Sequence, residues 1–494
     1  MSKNVSRRTF AKVSALAGGA AIVGFDLRSR SWIVESRTQG RAWQGIPKLD
    51  GALLLDDATR SAVAVDQGRL FHRIPAAVLK PGSVQDVVKI VKFANQHGLK
   101  VATKGNGHSR YGQTQAEAGI VIDSRTLTTV QLQGTSSVDV QPGAFWSVVA
   151  LVTLAQGVSP RVFPATCLSL TVGGVLSAGG IGNTSHRYGA IVDNVIELDV
   201  VTGDGRVVTC SNDHEAELFN MVLAGQGQCG IIVRGRFGLM PAPSHVVLQT
   251  LVYSDLDQYL ADQQRVARED RFDTQRGSMD RGSGGAWSYS IEVGAFFTQS
   301  ATPDLSPRTS DLHFDRTTAP VRMTYREYLF RFEARNAAAN VDRPSPYITM
   351  WVPASATRKY MADVLALSPP ATGLLRADGA ETFSFYPIVT RRFTRPLFKV
   401  PSEEVAFSIW LSRSAPVGDQ AALSSLLASN RELLAKMTAM GGKRYAPYSM
   451  VMTPAEWAVH FGPDVWKRFG AAKKKYDPMH VLSPEPAMFT VARR

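Results

Sequence analysis

Two glycine-rich segments limit what this chain can fold into more than any other feature of its sequence. The first is Gly105-Asn106-Gly107-His108-Ser109, and the second runs from Val172 to Asn183. Glycine lets a backbone take positive φ and approach a ligand closely, and successive exposed N–H groups can hold a pyrophosphate. Neither segment is a G-x-G-x-x-G that opens a helix in a Rossmann unit. Because each segment follows an apolar one, together they predict a nucleotide cofactor that is bound from both sides. The alternative is that the glycines only form tight turns and bind no ligand.

Length and composition narrow the class of protein. A chain of 494 residues has room for two or three domains. Lys and Arg outnumber Asp and Glu by 55 to 42, a net charge of +13. No dense basic block with interleaved aromatic residues occurs, so we expect an ordinary basic surface and no nucleic-acid partner. The three cysteines show no disulfide framework or metal-ligand spacing, and no apolar run reaches the ~18 residues of a membrane span, so no membrane insertion is expected after processing.

The amino terminus is predicted to be an export signal. Residues 6–12 read Ser-Arg-Arg-Thr-Phe-Ala-Lys, and an apolar stretch rich in Ala and Gly follows at 13–25. A basic segment before a short apolar one is typical of a signal peptide, and the Arg7-Arg8 pair indicates the twin-arginine route. We therefore expect the twin-arginine export machinery as a partner and a periplasmic or secreted location, with residues 1–35 outside the fold. A chance Arg-Arg pair before a helix is the alternative.

The first half of the remaining chain alternates helices and strands. Apolar residues at helical spacing follow Ser83 and stop at Gly98, which predicts a helix with Ser83 as its N-cap. Short apolar strands are predicted at 99–103 and 119–123, and a hairpin at 196–208. Both glycine-rich segments thus fall where regular elements end, which is where a ligand can reach the backbone.

Several short motifs occur in order along the chain. They are K-x-x-G-H-S-x-x-G-Q around His108, L-T-V-G-G-V-L-S at 170–177, V-I-E-L-D-V-V-T-G-D-G at 195–205 and, near the end, Tyr476-Asp477-Pro478. In these motifs the stretch from about 75 to 243 resembles the PCMH-type FAD-binding domain of vanillyl-alcohol-oxidase-type flavoproteins. Within that group the chain is most similar to cytokinin dehydrogenase.

The resemblance implies an α+β fold with a two-part FAD-binding domain. The parts would be residues 40–242 and a carboxy-terminal segment at 443–494, and an α+β substrate (cap) domain built on an antiparallel sheet would be inserted between them at 243–442. The residues agree at the first junction, because Pro241-Ala242-Pro243 interrupts the strand pattern. The Gly- and Ser-rich residues 276–285 are expected to form a loop of the substrate domain.

The resemblance also implies which residues bind FAD. The His of G-H-S, here His108, would bond covalently to the 8α carbon of the flavin, for which a neutral imidazole is suited; an ordinary loop histidine is the alternative. Other flavin-binding positions would match residues in and after the two glycine-rich segments. They are Gly105, Asn106, Gly107, Ser109, Gln113, Thr166, Thr171, Ser177, Ile181 and Ile232.

Cys167 is a departure from the cytokinin dehydrogenases, which have an aromatic residue there. Berberine-bridge-type relatives place a Cys seven residues before the second Gly of the G-G pair, and Cys167 has that spacing to Gly174. In those relatives the Cys bonds to carbon 6 of the flavin, which would give a second covalent attachment. The alternative is the commonest role of a free cysteine, a small buried hydrophobic side chain.

The catalytic base is a second departure. Cytokinin dehydrogenases have a catalytic Asp four residues before the leucine of L-T-V-G-G, where this chain has Thr166. A threonine hydroxyl cannot act as a base near pH 7, whereas a carboxylate can. By weaker similarity the candidates over the flavin are Glu292, Tyr386 and Arg392. Each has a structural alternative: a strand-surface charge, a core side chain and a solvated arginine.

Three functions remain open at this point. The first is an FAD-dependent oxidoreductase that transfers hydride from a C–H beside O or N of a small or oligomeric organic substrate, with O₂ or another electron acceptor reoxidising the flavin. The second is cytokinin-dehydrogenase-like oxidation of an amine at its C–N bond, which the missing Asp disfavours. The third is a flavin-binding protein without turnover.

Overall fold

The computed structural model describes most of the chain. The described residues are 20–26, 31–36, 41–43, 45–165, 167–281, 286–334, 342–365, 374–375, 381–485 and 487–489. Arg7 and Arg8 of the predicted export signal lie outside them, whereas part of its apolar stretch belongs to a separate antiparallel sheet. The strands of that sheet are β1 (Ala20–Asp26), β2 (Ser31–Ser36) and β3 (Arg41–Trp43). No helix of the described residues combines the length and hydropathy needed to cross a bilayer.

The first glycine-rich segment directly follows the strand Val101–Lys104 of a small, mainly parallel sheet. The strands, in the order β4-β5-β7-β6, are β4 (Ala52–Leu54), β5 (Ala77–Lys80), β6 (Val101–Lys104) and β7 (Ile120–Asp123). The helices are α1 (Asp57–Val63) and α2 (Val84–His97). The predicted N-cap is confirmed, because the Ser83 hydroxyl accepts a hydrogen bond from the Asp86 N–H, and Gly98 ends α2 with a φ of 64°.

The second glycine-rich segment packs on an antiparallel sheet. Its strands are β8 (Val130–Gln133), β9 (Ser137–Val140), β10 (Val158–Pro160), β11 (Val195–Val201), β12 (Val207–Ser211) and β13 (Ile231–Pro241). The helices are α3 (Trp146–Leu154), α4 (Val172–Ala178), α5 (Ser185–Tyr188) and α6 (Ala216–Val222). The predicted hairpin is confirmed as the antiparallel pair β11–β12, which starts at Val201 opposite Val207.

The residues from 245 to 444 build one large antiparallel sheet. Its strands are β14 (His245–Tyr253), β15 (Thr274–Arg281), β16 (Trp287–Phe297), β17 (Arg316–Thr317), β18 (Val321–Thr324), β19 (Ile348–Pro353), β20 (Leu374–Leu375), β21 (Glu381–Val389), β22 (Val405–Leu411) and β23 (Lys443–Arg444). The helices are α7 (Leu256–Arg268), α8 (Ser306–Thr309), α9 (Tyr325–Phe330), α10 (Ala354–Leu365) and α11 (Gln420–Ala439).

The loop expected at 276–285 is wrong for residues 276–281. They belong to β15, which pairs with β16 on one side and β21 on the other. Gly277 is needed there, because a Cβ would overlap the side chains of Gln263 and Tyr259 from the covering helix α7. Glycine therefore marks a close helix–sheet contact at this position and not a turn.

The carboxy-terminal segment returns to the first sheet. After α12 (Pro454–Phe461) and α13 (Pro463–Tyr476), Leu482 forms a parallel bridge with Val101 of β6. Lys473, buried in α13, donates from Nζ to the Gln228 and Leu482 carbonyls and pairs with Asp477 at 2.7 Å. The predicted fold class is confirmed as α+β. The domain bounds 40–242, 243–442 and 443–494 stay predictions. Strand β23 begins at Lys443, one residue after the expected end of the substrate domain, and still pairs with β19 of the large sheet.

Four short 3₁₀ turns complete the described elements. They are Ser124–Thr126, Ile191–Asn194, Thr390–Arg392 and Ala446–Tyr448. The last of these lies at the boundary between the large sheet and the first half of the chain, and its residues Pro447 and Tyr448 reach the cavity described below.

Candidate active site

A cavity of about 1700 Å³ separates the glycine-rich segments from the large sheet. Small-ligand pockets usually measure ~300–1,000 Å³, so this one has room for a large ligand and a second, smaller molecule. One end is lined by the glycine-rich segments and by residues 226–233, and the other by strands β15, β21 and β22. The cavity is therefore built from parts of the chain that are far apart in sequence.

The two glycine-rich segments contact each other directly. Asn106 donates from Nδ2 to the Ser169 carbonyl at 2.9 Å. A Cβ on Gly105 would overlap the Thr171 hydroxyl, so glycine is required for the two backbones to approach this closely. Gly107 takes a φ of 69°, which bends the first segment so that His108 faces the cavity.

The structure brings the predicted flavin-binding residues to one cavity wall. Those that line it are Gly105, Asn106, Gly107, His108, Ser109, Gln113, Cys167, Thr171, Ser177, Ile181 and Ile232. Thr166 lies outside the described residues. Some of these residues also hold the wall together, since Gln113 donates from Nε2 to the Pro447 carbonyl at 3.1 Å.

His108 and Cys167 are neighbours in this wall. The His108 Nε2 lies 3.7 Å from the Cys167 Sγ. Burial, and next the positive charge of Arg110, lower the pKa of His108 to about 3, so the imidazole is neutral near pH 7. Burial raises the pKa of the Cys167 thiol, the Ser169 hydroxyl lowers it, and the negative charge of Glu333 raises it further. The thiol is therefore mainly protonated near neutral pH.

Two residues that the sequence did not single out belong to the same site. Gln226 lines the cavity with both polar atoms of its buried amide unpartnered within the described structure. Lys104 ends β6 beside the first segment, where its Nζ donates to the Val63 and Val65 carbonyls, and burial lowers its pKa to about 8. Gln226 stands between two glycines and Lys104 opens the first motif, so both could have been found.

The residues present fit a bound FAD. The cavity is large, its wall brings glycine backbone within reach of a ligand, and the unpartnered Gln226 amide lines it. A buried amide without a partner costs about 1–3 kcal/mol, so a polar ligand that satisfies Gln226 would be favoured. The neutral His108 at the same wall suits attachment of an electron-poor ring.

The three expected catalytic residues are not brought to the cavity wall by the structure. Glu292 on β16 pairs with Arg331 at 2.5 Å. Tyr386 is 2% exposed and packs against Trp410, with 5.5 Å between ring centroids, so Trp410 lines the cavity in its place. Arg392 is exposed in its 3₁₀ turn. Burial raises the pKa of Tyr386, which further disfavours the phenolate needed of a base.

The large sheet presents other side chains to the cavity. Ser278, Ser384 and Trp410 stand in register on three neighbouring strands and line it together. Arg276 lies two residues before Ser278 on the same face of β15 and also lines it. Arg276 and Ser278 were not predicted as site residues because residues 276–285 were expected to form a loop.

Comparisons with known proteins agree with this site. Residues 75–211 match the family model described as "FAD binding domain", and residues 268–489 match the model described as "Cytokinin dehydrogenase 1, FAD and cytokinin binding". An uncharacterized oxidoreductase of the fasciation locus of Rhodococcoides fascians is 31% identical over 88% of this chain and 98% of its own length. Cytokinin dehydrogenase 4 of Oryza sativa subsp. japonica is 31% identical over 91% of this chain and 92% of its own length.

A solved structure shows the same fold. The crystal structure of 6-hydroxy-D-nicotine oxidase from Arthrobacter nicotinovorans matches with a TM-score of 0.67 and 19% identity, over 88% of this chain and 96% of that one. Fold and site thus define an FAD-dependent oxidoreductase with a PCMH-type FAD-binding domain. More narrowly, the chain belongs to the family of the cytokinin dehydrogenases.

Proposed function

We propose that this oxidoreductase removes hydride from a C–H beside O or N of an organic substrate, with FAD held covalently by His108. The observation that carries the proposal is that His108 and the glycine-rich segments line one end of the same cavity whose other end is lined by the polar face of the large sheet. Bound FAD supplies a two-electron acceptor at that junction. O₂ or another acceptor then takes up the electrons.

The chain's own residues would bind and orient the flavin. The neutral imidazole of His108 has a free lone pair to bond the 8α carbon. Attachment joins nitrogen to carbon with loss of two protons and two electrons, which O₂ as oxidant takes up. Gln226 and the backbone of the glycine-rich segments would satisfy polar groups of the cofactor. Trp410 and Ser384 would border the substrate.

Covalent attachment is tested by denaturation. The acid-precipitated protein should stay yellow, and His108→Ala should release the colour into the supernatant. The matched control is His214→Ala, since His214 is exposed and far along the chain from either glycine-rich segment. If flavin washes completely out of the unaltered protein, covalent attachment is wrong, although FAD binding itself could survive.

A second bond, from Cys167 to carbon 6, is part of the proposal. Its support is the 3.7 Å separation of Cys167 Sγ from His108 Nε2, which lets both side chains reach one ring system. The raised pKa of the thiol opposes it, because the thiolate is the nucleophile. Peptide mass spectrometry decides: one flavin joining the peptides of both residues supports two bonds, and Cys167 recovered as a free thiol leaves one.

A substrate screen tests turnover. Alcohols, sugars and phenolic compounds form one arm and cytokinin-type amines the other, with bleaching of the yellow colour and peroxide formed in air as readouts. The relatives named cytokinin dehydrogenase support the amine arm. Thr166, in place of the family's Asp, supports the other. A yellow protein bleached by neither arm would support the remaining alternative, a flavin-binding protein without turnover.

We further propose export by the twin-arginine route to the periplasm or the medium. The support is the Arg7-Arg8 pair before an apolar stretch. Replacing both with lysine keeps the positive charge but removes the guanidinium pair, so active protein should accumulate inside the cell. Fractionation and flavin fluorescence report this. Unchanged secretion of the double variant would argue for another route.

A further inference from the structure

Within the described part of the chain, three carboxylates line the cavity: Asp66, Asp280 and Glu333. Asp66 is committed to the first glycine-rich segment, because it accepts from the Ser109 hydroxyl at 3.0 Å and from the Gly112 N–H at 2.7 Å. Asp280 accepts from the Ser278 hydroxyl at 3.1 Å, on the far strand β15. Glu333 is the one that reaches across to the flavin-binding wall.

Glu333 contacts the loop that carries Cys167. Its Oε1 accepts a hydrogen bond from the Leu168 N–H at 2.6 Å, across 165 residues of sequence. Its negative charge adds to burial in raising the pKa of the Cys167 thiol, which places the carboxylate near that sulfur. The described residues of this loop include no carboxylate, and Glu333 places one beside it.

Glu333 also differs from Glu292 in its charge environment. Glu292 is neutralised by Arg331 at 2.5 Å, whereas no described cation forms an ion pair with Glu333. A carboxylate outside an ion pair can accept a proton from a bound molecule without first breaking that pair, as a general base does.

We propose that Glu333 is the catalytic base of the reaction. This inference rests on the proposed function. In it, a substrate H–C–X–H, where X is O or N, loses its C–H hydrogen with two electrons to FAD and its X–H proton to Glu333, which leaves C=X in the product. Carbon 6 and N5 of a flavin are bonded to the same ring carbon, so if Cys167 bonds carbon 6 as proposed above, Glu333 beside Cys167 would be close to the nitrogen that accepts hydride. O₂ or another acceptor reoxidises the flavin.

The first test measures flavin reduction without oxygen, with a compound that bleaches the unaltered protein. Glu333→Gln keeps the hydrogen bond to Leu168 but cannot take a proton, so the limiting rate should fall about 10²–10⁴-fold while flavin content stays constant. Glu333→Asp should retain part of the rate. Glu117→Gln, at an exposed site outside the cavity wall, is the matched control and should leave the rate unchanged.

The second test needs no substrate. Sulfite is an anion that adds to N5 of many protein-bound flavins and bleaches them. A negative charge beside N5 opposes it, so Glu333→Gln should tighten sulfite binding by about 10-fold or more, whereas Glu333→Asp and Glu117→Gln should not. An unchanged sulfite affinity in Glu333→Gln would show that Glu333 only holds the Leu168 N–H, and would overturn the inference.

The outcomes separate this inference from the proposed function. A colourless protein, or a yellow one that no compound bleaches, overturns both, because there is then no reaction for a base to serve. A yellow protein that is bleached at the same rate with Glu333→Gln overturns Glu333 alone. A slow Glu333→Gln variant with tightened sulfite binding supports both.

Discussion

The contact between Gly105 and Thr171 offers a direct test of how the cavity wall is built. The φ of Gly105 is not in the positive range, so alanine is acceptable to the backbone. The added Cβ, however, would overlap the Thr171 hydroxyl and lie 3.0 Å from the Thr171 Cβ. Gly105→Ala must therefore push the two glycine-rich segments apart.

The expected cost follows from the contact. Overpacking by one carbon in a tight site costs about 1–3 kcal/mol, and separating the segments also disturbs the hydrogen bond from Asn106 to Ser169. Thr171→Ala removes the overlapping hydroxyl, so the double variant should regain at least half of the loss. The assays are urea unfolding and the ratio of flavin to protein absorbance.

Gly238→Ala is the matched control for this cycle. Its added Cβ would meet only the Ile196 side chain, at an ordinary 3.6 Å, and its φ is not positive. We expect the control to match the unaltered protein in both assays. If Gly105→Ala matches it too, or if Thr171→Ala restores nothing, the close approach of the two segments is not what requires glycine at 105.

Three further predictions concern other parts of the molecule. Lys473→Met leaves Asp477 charged and buried and should cost about 3–5 kcal/mol in urea unfolding, whereas Lys475→Met, at an exposed ion pair, should cost less than about 1 kcal/mol. Folding lowers the Lys104 pKa, so between about pH 8 and 10.5 the unfolded chain binds more protons and the free energy of unfolding should rise with pH. Lys104→Met should abolish this rise, and equal slopes in both proteins would contradict the prediction. If the Gln226 amide binds FAD, Gln226→Leu should lower the flavin content. If the amide has no partner even in the loaded protein, the variant should keep its full flavin content and be more stable to unfolding.

The flavin-binding half was predictable from local signals. Ser83 and Gly98 delimit their helix because cap chemistry depends on neighbouring residues only. The motif around His108 and the G-G pair at 173–174 could be assigned to one wall because their glycines and polar residues are contiguous in sequence. Gln226 and Lys104 were not predicted to bind flavin, although Lys104 opens the motif around His108 and Gln226 stands between two glycines, so the same reasoning could have included them.

The substrate end was not predictable, for two physical reasons. Glycine and serine in β15 read as loop residues, whereas Gly277 is there because helix α7 lies against the strand. Tyr386 was expected over the flavin from a weak similarity to the family, and a similarity of that kind does not show that Tyr386 is buried behind Trp410 of the neighbouring strand β22. Glu333 follows no motif at all, and its role depends on a contact with a loop 165 residues earlier.

These long-range contacts connect the proposed cofactor with the proposed export route. The Leu168–Glu333 bond and the Gln113–Pro447 bond join the first half of the chain to its middle and to its last fifty residues. The cavity wall also includes Ser483, close to the carboxyl terminus. A complete FAD site therefore exists only after the whole chain has folded. A protein that leaves the cytoplasm with FAD bound must then leave it folded, and the twin-arginine route is one that accepts folded proteins.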